Sequence, residues 1–236
     1  MKAAWYDAQG AARDVRRVGE LPVPEPAPGE VRVRVEVSGI HVGDIGKRQG
    51  YWGSTMAFPR VVPHGDGVGV IDAVGNDVPA DRIGSRVWVF LAQSYRPGGT
   101  AAECTVVPSE HAVVLPDVVE SAQAAGLGIP GITGHRAVTS GGLRYNGSIN
   151  TYATGETRPV VPYWQLAFKN IAVRFISNDD FPEEANQRAA RELTAALVAG
   201  DLRYDVRAEY SLDEIVAAHE DVEQGAGTSR VILRVS

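Results

Sequence analysis

The sequence predicts a mainly β fold that carries a smaller part containing helices. In the first half, Val31, Val33, Val35 and Val37 alternate with polar residues, which predicts a strand with one buried face. Four further short valine-rich runs, each bounded by Gly, Pro, Asn or Asp, occur at 68–74, 87–91, 104–107 and 112–115. Short strands of this kind are typical of a compact barrel or sandwich.

The second half of the chain changes to helical periodicity. We predict a short helix over 132–138 and a buried strand over 171–176. A longer helix should begin at a capping box formed by Asp180 and Glu183 and end at Gly200.

The C-terminal end combines a helix with a closing strand. Ser211 and Glu214 form a second capping box, and the helix that follows should end near Gly225. His219 lies on the apolar stripe of this helix, and residues 230–235 predict the last strand.

Composition excludes several classes of partner. The 236 residues carry a formal net charge of −6, so no broad attraction for nucleic acid or anionic lipid is expected. No stretch resembles a secretory leader or a membrane span, which favours a cytoplasmic location without a membrane partner. The single cysteine, Cys104, lies in an apolar run and is expected to be a buried, inert thiol.

Five motifs follow one another in a recognisable order. They are the segments Ser38–Asp44, His64–Gly75, Ile83–Val87, Gly99–Glu103 and Leu127–Thr133. In this order they resemble the medium-chain dehydrogenase/reductase superfamily, close to its zinc-free, zeta-crystallin-like quinone oxidoreductases.

This resemblance implies a GroES-like β-barrel catalytic domain and a Rossmann domain for the dinucleotide. We assign residues 1–117 and 201–236 to the catalytic domain and 118–200 to a small α/β remnant of the Rossmann domain. The junction lies near 139–146, where only the seven residues 139–145 separate the two family-like parts. Because one βαβ unit needs about 30 residues, most of the Rossmann domain is missing.

A G-x-G-x-x-G pattern at 126–131 is the remaining candidate for binding phosphate. The motif requires a strand before the glycines and an acidic residue about 20 positions later. Here an Ala-rich helix precedes it, and Pro130 lacks an N–H group. We interpret the pattern as a turn between helices. NADPH is the cofactor that the resemblance implies, but we expect no binding of it in the family manner.

By resemblance, several residues lie on the nicotinamide side of the cleft. His41, Asp44 and Tyr51 are candidate catalytic residues. His41 could relay protons near neutral pH or be a hydrogen-bonded structural histidine. Asp44 could instead cap the turn before the following basic residues, and Tyr51 could be a packing residue.

Four further residues are implied as cofactor contacts. They are Thr133, Gly147, Ser148 and Arg230. Gly147 and Ser148 follow a late strand of the lost domain by the resemblance, and Arg230 stands where the family carries a basic residue. Arg230 could equally be a solvated strand residue.

A zinc site is not expected. Catalytic zinc needs about three protein ligands. At the positions that match the ligands of zinc-dependent relatives, His41 and Asp66 could coordinate a metal, whereas Gly65 and Ile129 could not.

Three functions stay open on the sequence alone. One is NADPH-dependent reduction of a quinone or enone, and a second is a domain-deletion variant without redox activity. The third is cyclase or isomerase chemistry on a polyketide-like substrate, with His41 as the base. A homodimer, or an exchange of residues 146–200 between copies, is expected because the strand at 171–176 has lost most of its sheet.

Overall fold

The structure is a computed structural model that describes residues 1–53, 55–140, 147–151, 159–225 and 229–235. Most of the predicted junction, at 141–146, lies outside the described residues.

Eleven strands occur in the described part of the chain. They are β1 (Lys2–Tyr6), β2 (Arg16–Glu20), β3 (Glu30–Ile40), β4 (Asp66–Val74), β5 (Arg86–Val89), β6 (Cys104–Pro108), β7 (Ala112–Val114), β8 (Ser148–Thr151), β9 (Ala172–Phe175), β10 (Val206–Ser211) and β11 (Arg230–Arg234).

Seven α-helices accompany these strands within the same ranges. They are α1 (Ala12–Val15), α2 (Val42–Gln49), α3 (Ser121–Ala124), α4 (Ile132–Ser140), α5 (Tyr163–Ala167), α6 (Glu183–Ala199) and α7 (Ile215–Glu223).

One seven-stranded sheet dominates the molecule. Its strands follow the order β10-β11-β3-β4-β5-β7, and β6 also pairs with β3. The long central strand β3 buries Val31, Val33, Val35 and Val37, as the alternation predicts. The four valine-rich runs form β4 to β7, so the mainly β prediction is confirmed.

Two smaller sheets complete the fold. β1 and β2 form an antiparallel pair that the sequence analysis did not predict, and Ala3 bridges it to Ala102. β8 and β9 pair in parallel, which is the arrangement of a Rossmann sheet. The fold is therefore a β body with a small α/β part.

The helix α6 forms where it was predicted, but its start differs. Pro182 is the residue before the first helical turn, and the Asp180 carboxylate accepts a hydrogen bond from the Tyr95 hydroxyl at 2.9 Å. The predicted Asp180–Glu183 capping box is therefore wrong, because a tertiary contact occupies the carboxylate. The predicted stop is confirmed, since Gly200 has a φ of 79° in the left-handed region.

The second capping box is confirmed. The backbone N–H and the hydroxyl of Ser211 both donate to Glu214 Oε2, at 2.8 and 2.7 Å. One turn of 3₁₀ helix over Leu212–Glu214 leads into α7, where Ile215 and His219 are both fully buried.

The predicted strand at 171–176 forms as β9 but is not buried. Phe175 is 75% exposed, and Ala172 and Arg174 are exposed as well. An apolar run predicts burial only when its sheet has neighbours on both faces. Among the described residues β9 pairs with β8 alone.

Cys104 is only half-buried at the start of β6. Burial raises the pKa of its thiol, which disfavours the reactive thiolate. Cys104 is therefore less buried than expected. The raised pKa of its thiol agrees with the expectation that it is inert. Among the residues described above, no helix is long and apolar enough to cross a membrane.

Candidate functional site

A small cleft lies where β3, β11 and the turn after α3 meet. His41, Asp66 and Arg230 contribute its polar side chains, and Gly126 and Pro130 border it. The cavity measures about 10 Å³, which is room for roughly one water molecule. The cleft thus gathers two predicted site residues, His41 and Arg230, together with Asp66.

His41 and Asp44 form a compact pair at the start of α2. The backbone N–H of His41 donates to Asp44 Oδ2 at 3.0 Å, and His41 Nε2 lies 3.3 Å from the same oxygen. Asp44 thus caps the helix, as the alternative interpretation held. Burial lowers the pKa of His41 and Asp44 partly opposes this, so the neutral imidazole is favoured.

Asp66 is the most perturbed acid near the cleft. Its side chain is buried, and burial raises its pKa well above the ordinary value of an aspartate. Oδ2 accepts a hydrogen bond from the Ile129 N–H at 2.8 Å, and Oδ1 has no hydrogen-bond partner among the described residues. The site therefore favours a protonated acid that can donate a hydrogen bond.

Arg230 starts β11 and faces the same cleft. Its guanidinium carbon lies 5.4 Å from the centre of the Tyr204 ring, a cation–π contact. Its Nε is buried and has no hydrogen-bond partner among the described residues. Arg230 and Asp66 together leave two buried polar atoms available for a small polar guest.

Two N–H groups of the glycine pattern at 126–131 already donate to side chains of the protein. The N–H of Gly126 donates to Tyr204 Oη at 2.7 Å, and the N–H of Ile129 is held by Asp66. A Cβ on Gly128 would collide with the Asp66 carboxyl group, so this glycine permits close packing of that acid. The segment is a helical turn between α3 and α4, which confirms the turn interpretation.

The other predicted residues are placed away from this cleft. Thr133 is buried in α4, and its hydroxyl has no hydrogen-bond partner among the described residues. Tyr51 lies in a short 3₁₀ turn and is 53% exposed. Neither lines the cleft that His41 and Arg230 share.

The residues directly before Gly147, where the resemblance implied a strand, lie outside the described residues. Ser148 begins β8 itself, and the carbonyl of Gly147 accepts a hydrogen bond from the Ala172 N–H at 3.0 Å. Both residues therefore belong to the pairing of β8 with β9.

A buried polar cluster behind the site was missed by the sequence analysis. His64 Nδ1 lies 2.8 Å from Ser38 Oγ, and His64 Nε2 lies 2.9 Å from His219 Nε2. Arg16 Nη2 donates to His219 Nε2 at 2.6 Å. Burial lowers the pKa of His64 to about 3 and that of His219 well below its ordinary value. The available hint was His219 on the apolar stripe of its helix.

No group of three or more His, Cys, Asp or Glu side chains that could hold a metal ion occurs among the residues with described positions. The prediction of a zinc-free protein stays a prediction.

Comparison with known proteins finds a matching domain and several similar proteins. The model of the alcohol dehydrogenase GroES-like domain matches residues 27–117. The chain is 30% identical over 141 residues to the chloroplastic quinone-oxidoreductase QR1 of Triphysaria versicolor, covering 59% of this chain and 42% of that protein. It is 34% identical over 122 residues to the synaptic vesicle membrane protein VAT-1 homolog of Danio rerio, covering 51% and 24%.

Solved structures agree with these matches. The Escherichia coli quinone oxidoreductase complexed with NADPH aligns with a TM-score of 0.84 at 16% identity, over 100% of both chains. The quinone oxidoreductase of Pseudomonas syringae aligns with a TM-score of 0.79 at 18% identity, over 99% of each chain. This structural likeness, at such low sequence identity, establishes the fold. The chain carries the alcohol dehydrogenase GroES-like domain and is similar to quinone oxidoreductases of the medium-chain dehydrogenase/reductase superfamily.

The chain thus combines a GroES-like domain with a small α/β part that contains the parallel pair β8 and β9. It spans less than half of the length of the two curated relatives named above. Gly126 and Ile129 already donate their N–H groups within the protein, and Pro130 has none to donate.

Proposed function

We propose that this superfamily member binds a small carbonyl compound in its cleft and does not hold NADPH as the family does. The observation that carries the proposal is the occupation of the Gly126 and Ile129 amides by Tyr204 and Asp66. Backbone amides that already donate inside the protein cannot also bind a pyrophosphate.

The chemistry of the cleft supports a carbonyl group as its guest. A cavity with room for about one water can also take one carbonyl oxygen, while the rest of a quinone or enone stays at the mouth. Arg230 Nε and a protonated Asp66 are the two groups available to donate to that oxygen.

We expect calorimetric titration with NADPH to show no binding tighter than about 1 mM, because the contacts that supply most of a dinucleotide's affinity are missing. The Escherichia coli quinone oxidoreductase, whose structure contains NADPH, serves as the positive control in the same buffer. A micromolar dissociation constant for this chain would overturn the proposal.

A second candidate function is proton transfer without a nicotinamide. Burial favours a neutral His41 and a protonated Asp66, and both side chains line one cleft. A base and an acid held in these states are the pair needed to move a proton next to a carbonyl. His41 would remove a proton from the α-carbon, and a solvent proton would replace it without any change of oxidation state.

Exchange of the α-protons of a cyclic enone in D₂O, followed by NMR without coenzyme, tests this second function. His41→Ala should slow the exchange by about 100-fold, the lower range for a lost acid–base group. His135→Ala is the matched control, because His135 pairs with Glu192 away from the cleft. Equal rates in the two variants, or no rate above buffer, would reject proton transfer.

The proposal includes a homodimer formed through β9. Phe175 presents an exposed aromatic ring on a strand that pairs with β8 alone among the described residues. Light scattering at high concentration should report a dimer, and Phe175→Lys should convert it to a monomer. Val118→Lys, which changes an equally exposed valine in a turn, should leave the dimer intact. A monomeric native chain would contradict this.

A cytoplasmic location, with neither nucleic acid nor membrane as a partner, belongs to the same proposal. Its support is the net charge of −6.

A further inference from the structure

A second cavity lies beside α6, on a different face of this helix from its buried residues Ala189, Ala190 and Leu193. It runs between β7 and this helix and measures about 500 Å³, within the usual range for small-molecule pockets. We call it the edge groove, and its main lining residues are Val113, Val114, Pro116, Arg191, Ala195 and Val198.

The helix α6 has two apolar faces, and only one of them is covered. Ala189, Ala190 and Leu193 are buried against the sheet. Arg191, Ala195 and Val198 follow helical spacing along a different face, which lines the edge groove. The small side chain of Ala195 leaves the floor of the groove open.

The opposite wall belongs to the edge of the large sheet. β7 stands last in the strand order, so no described strand covers its outer side. Val114 is 60% exposed there, and Val198 across the groove is 47% exposed. Large aliphatic side chains facing one groove favour an apolar occupant.

One cation stands on this apolar groove. Arg188, one turn away, pairs with Glu192 at 2.8 Å. Arg191 makes no hydrogen bond or ion pair with any residue that the structure describes. A guanidinium without a protein partner beside an apolar groove complements a carboxylate, which it can bind through two parallel hydrogen bonds.

We propose that the edge groove binds an amphiphilic carboxylate, such as a fatty acid of medium length. Its hydrocarbon chain would lie between Val114 and Val198, and its carboxylate would pair with Arg191. An added peptide strand is disfavoured as the occupant because β7 offers only three residues for pairing. This site is separate from the cleft at His41.

Titration of the whole chain with octanoate, by calorimetry and by amide chemical shifts, tests the proposal. We expect saturable binding of one molecule below about 1 mM. Arg191→Gln should weaken it at least about tenfold, as expected for loss of a charged hydrogen bond. Arg188→Gln, on the same helix but outside the groove, should leave the affinity unchanged.

One further variant and one further ligand test where octanoate binds. Ala195→Phe fills the groove at an exposed helix position and should abolish binding, while thermal melting verifies that the variant folds. Octan-1-ol shares the chain without the charge, so its weaker binding should not respond to Arg191→Gln. The proposal is overturned by absence of saturable octanoate binding or by equal affinity in Arg191→Gln. It is also overturned if octanoate binding is lost in His41→Ala and kept in Ala195→Phe.

Discussion

Replacing Trp88 by alanine should lower the free energy of unfolding by about 4 kcal/mol, since large-to-small changes at buried tryptophans cost roughly 3–5 kcal/mol. The indole is fully buried beside Phe90, with ring centres 5.6 Å apart. Its Nε1 donates to Thr194 Oγ1 of α6 at 3.0 Å, so the change also removes a hydrogen bond between the sheet and this helix. Urea unfolding measures the loss.

Trp164→Ala provides the matched control for this change. The Trp164 side chain is 65% exposed, so its removal should alter the free energy of unfolding by less than about 0.5 kcal/mol. Similar losses of unfolding free energy in the two variants would contradict the assignment of Trp88 to the hydrophobic core.

Acid should destabilise the protein through its buried histidines. Because burial lowers the pKa of His64 to about 3, and that of His219 strongly, only the unfolded chain binds protons on them just below pH 6.5. Arg16 and Arg48 reinforce the lowered pKa of His219, whereas Asp44 opposes the shift of His64. The free energy of unfolding is thus greatest above pH 6.5 and falls by up to about 1.4 kcal/mol per pH unit for each histidine.

Asp66 acts in the opposite direction within the same window. Its pKa is raised in the folded state, so above about pH 4 the folded chain holds a proton that the unfolded chain has lost. The two histidines therefore lower the free energy of unfolding between pH 6.5 and 4.5, and Asp66 offsets part of that loss. The lowered pKa of His41 adds to this loss.

Urea unfolding at pH 7.5, 6.5, 5.5 and 4.5 measures this dependence. Asp66→Asn removes the opposing proton and should steepen the fall by up to about 1.4 kcal/mol per pH unit. Val118→Ala changes an exposed side chain that does not titrate and should leave the slope unchanged. A stability that is constant or rises toward pH 4.5 would refute the assignment of the buried histidines.

The sheet was predictable from local pattern alone. Alternating valines in β3 specify one buried face regardless of what packs on it, and Gly200 specifies a helix end by its backbone freedom. The exposure of β9 was not predictable, because an apolar strand looks the same whether or not its neighbours exist. The Asp180 carboxylate failed as a cap because Tyr95, 85 residues away, competes for it.

The site was predictable only in part. His41 and Arg230 meet at the cleft, as the resemblance implied, because β3 and β11 pair next to each other. The cofactor role of Gly147 and Ser148 stays a prediction, because residues 141–146 before them lie outside the described part of the chain. The pairing of His64 with His219 joins residues 155 apart in sequence, and no local pattern reports such a contact.

Diffraction from crystals soaked in NADPH tests the central claim most directly. The account predicts no ordered dinucleotide over residues 126–131, with Tyr204 and Asp66 still bonded to the Gly126 and Ile129 amides. An ordered pyrophosphate bound by those amides, with both side chains displaced, would contradict it.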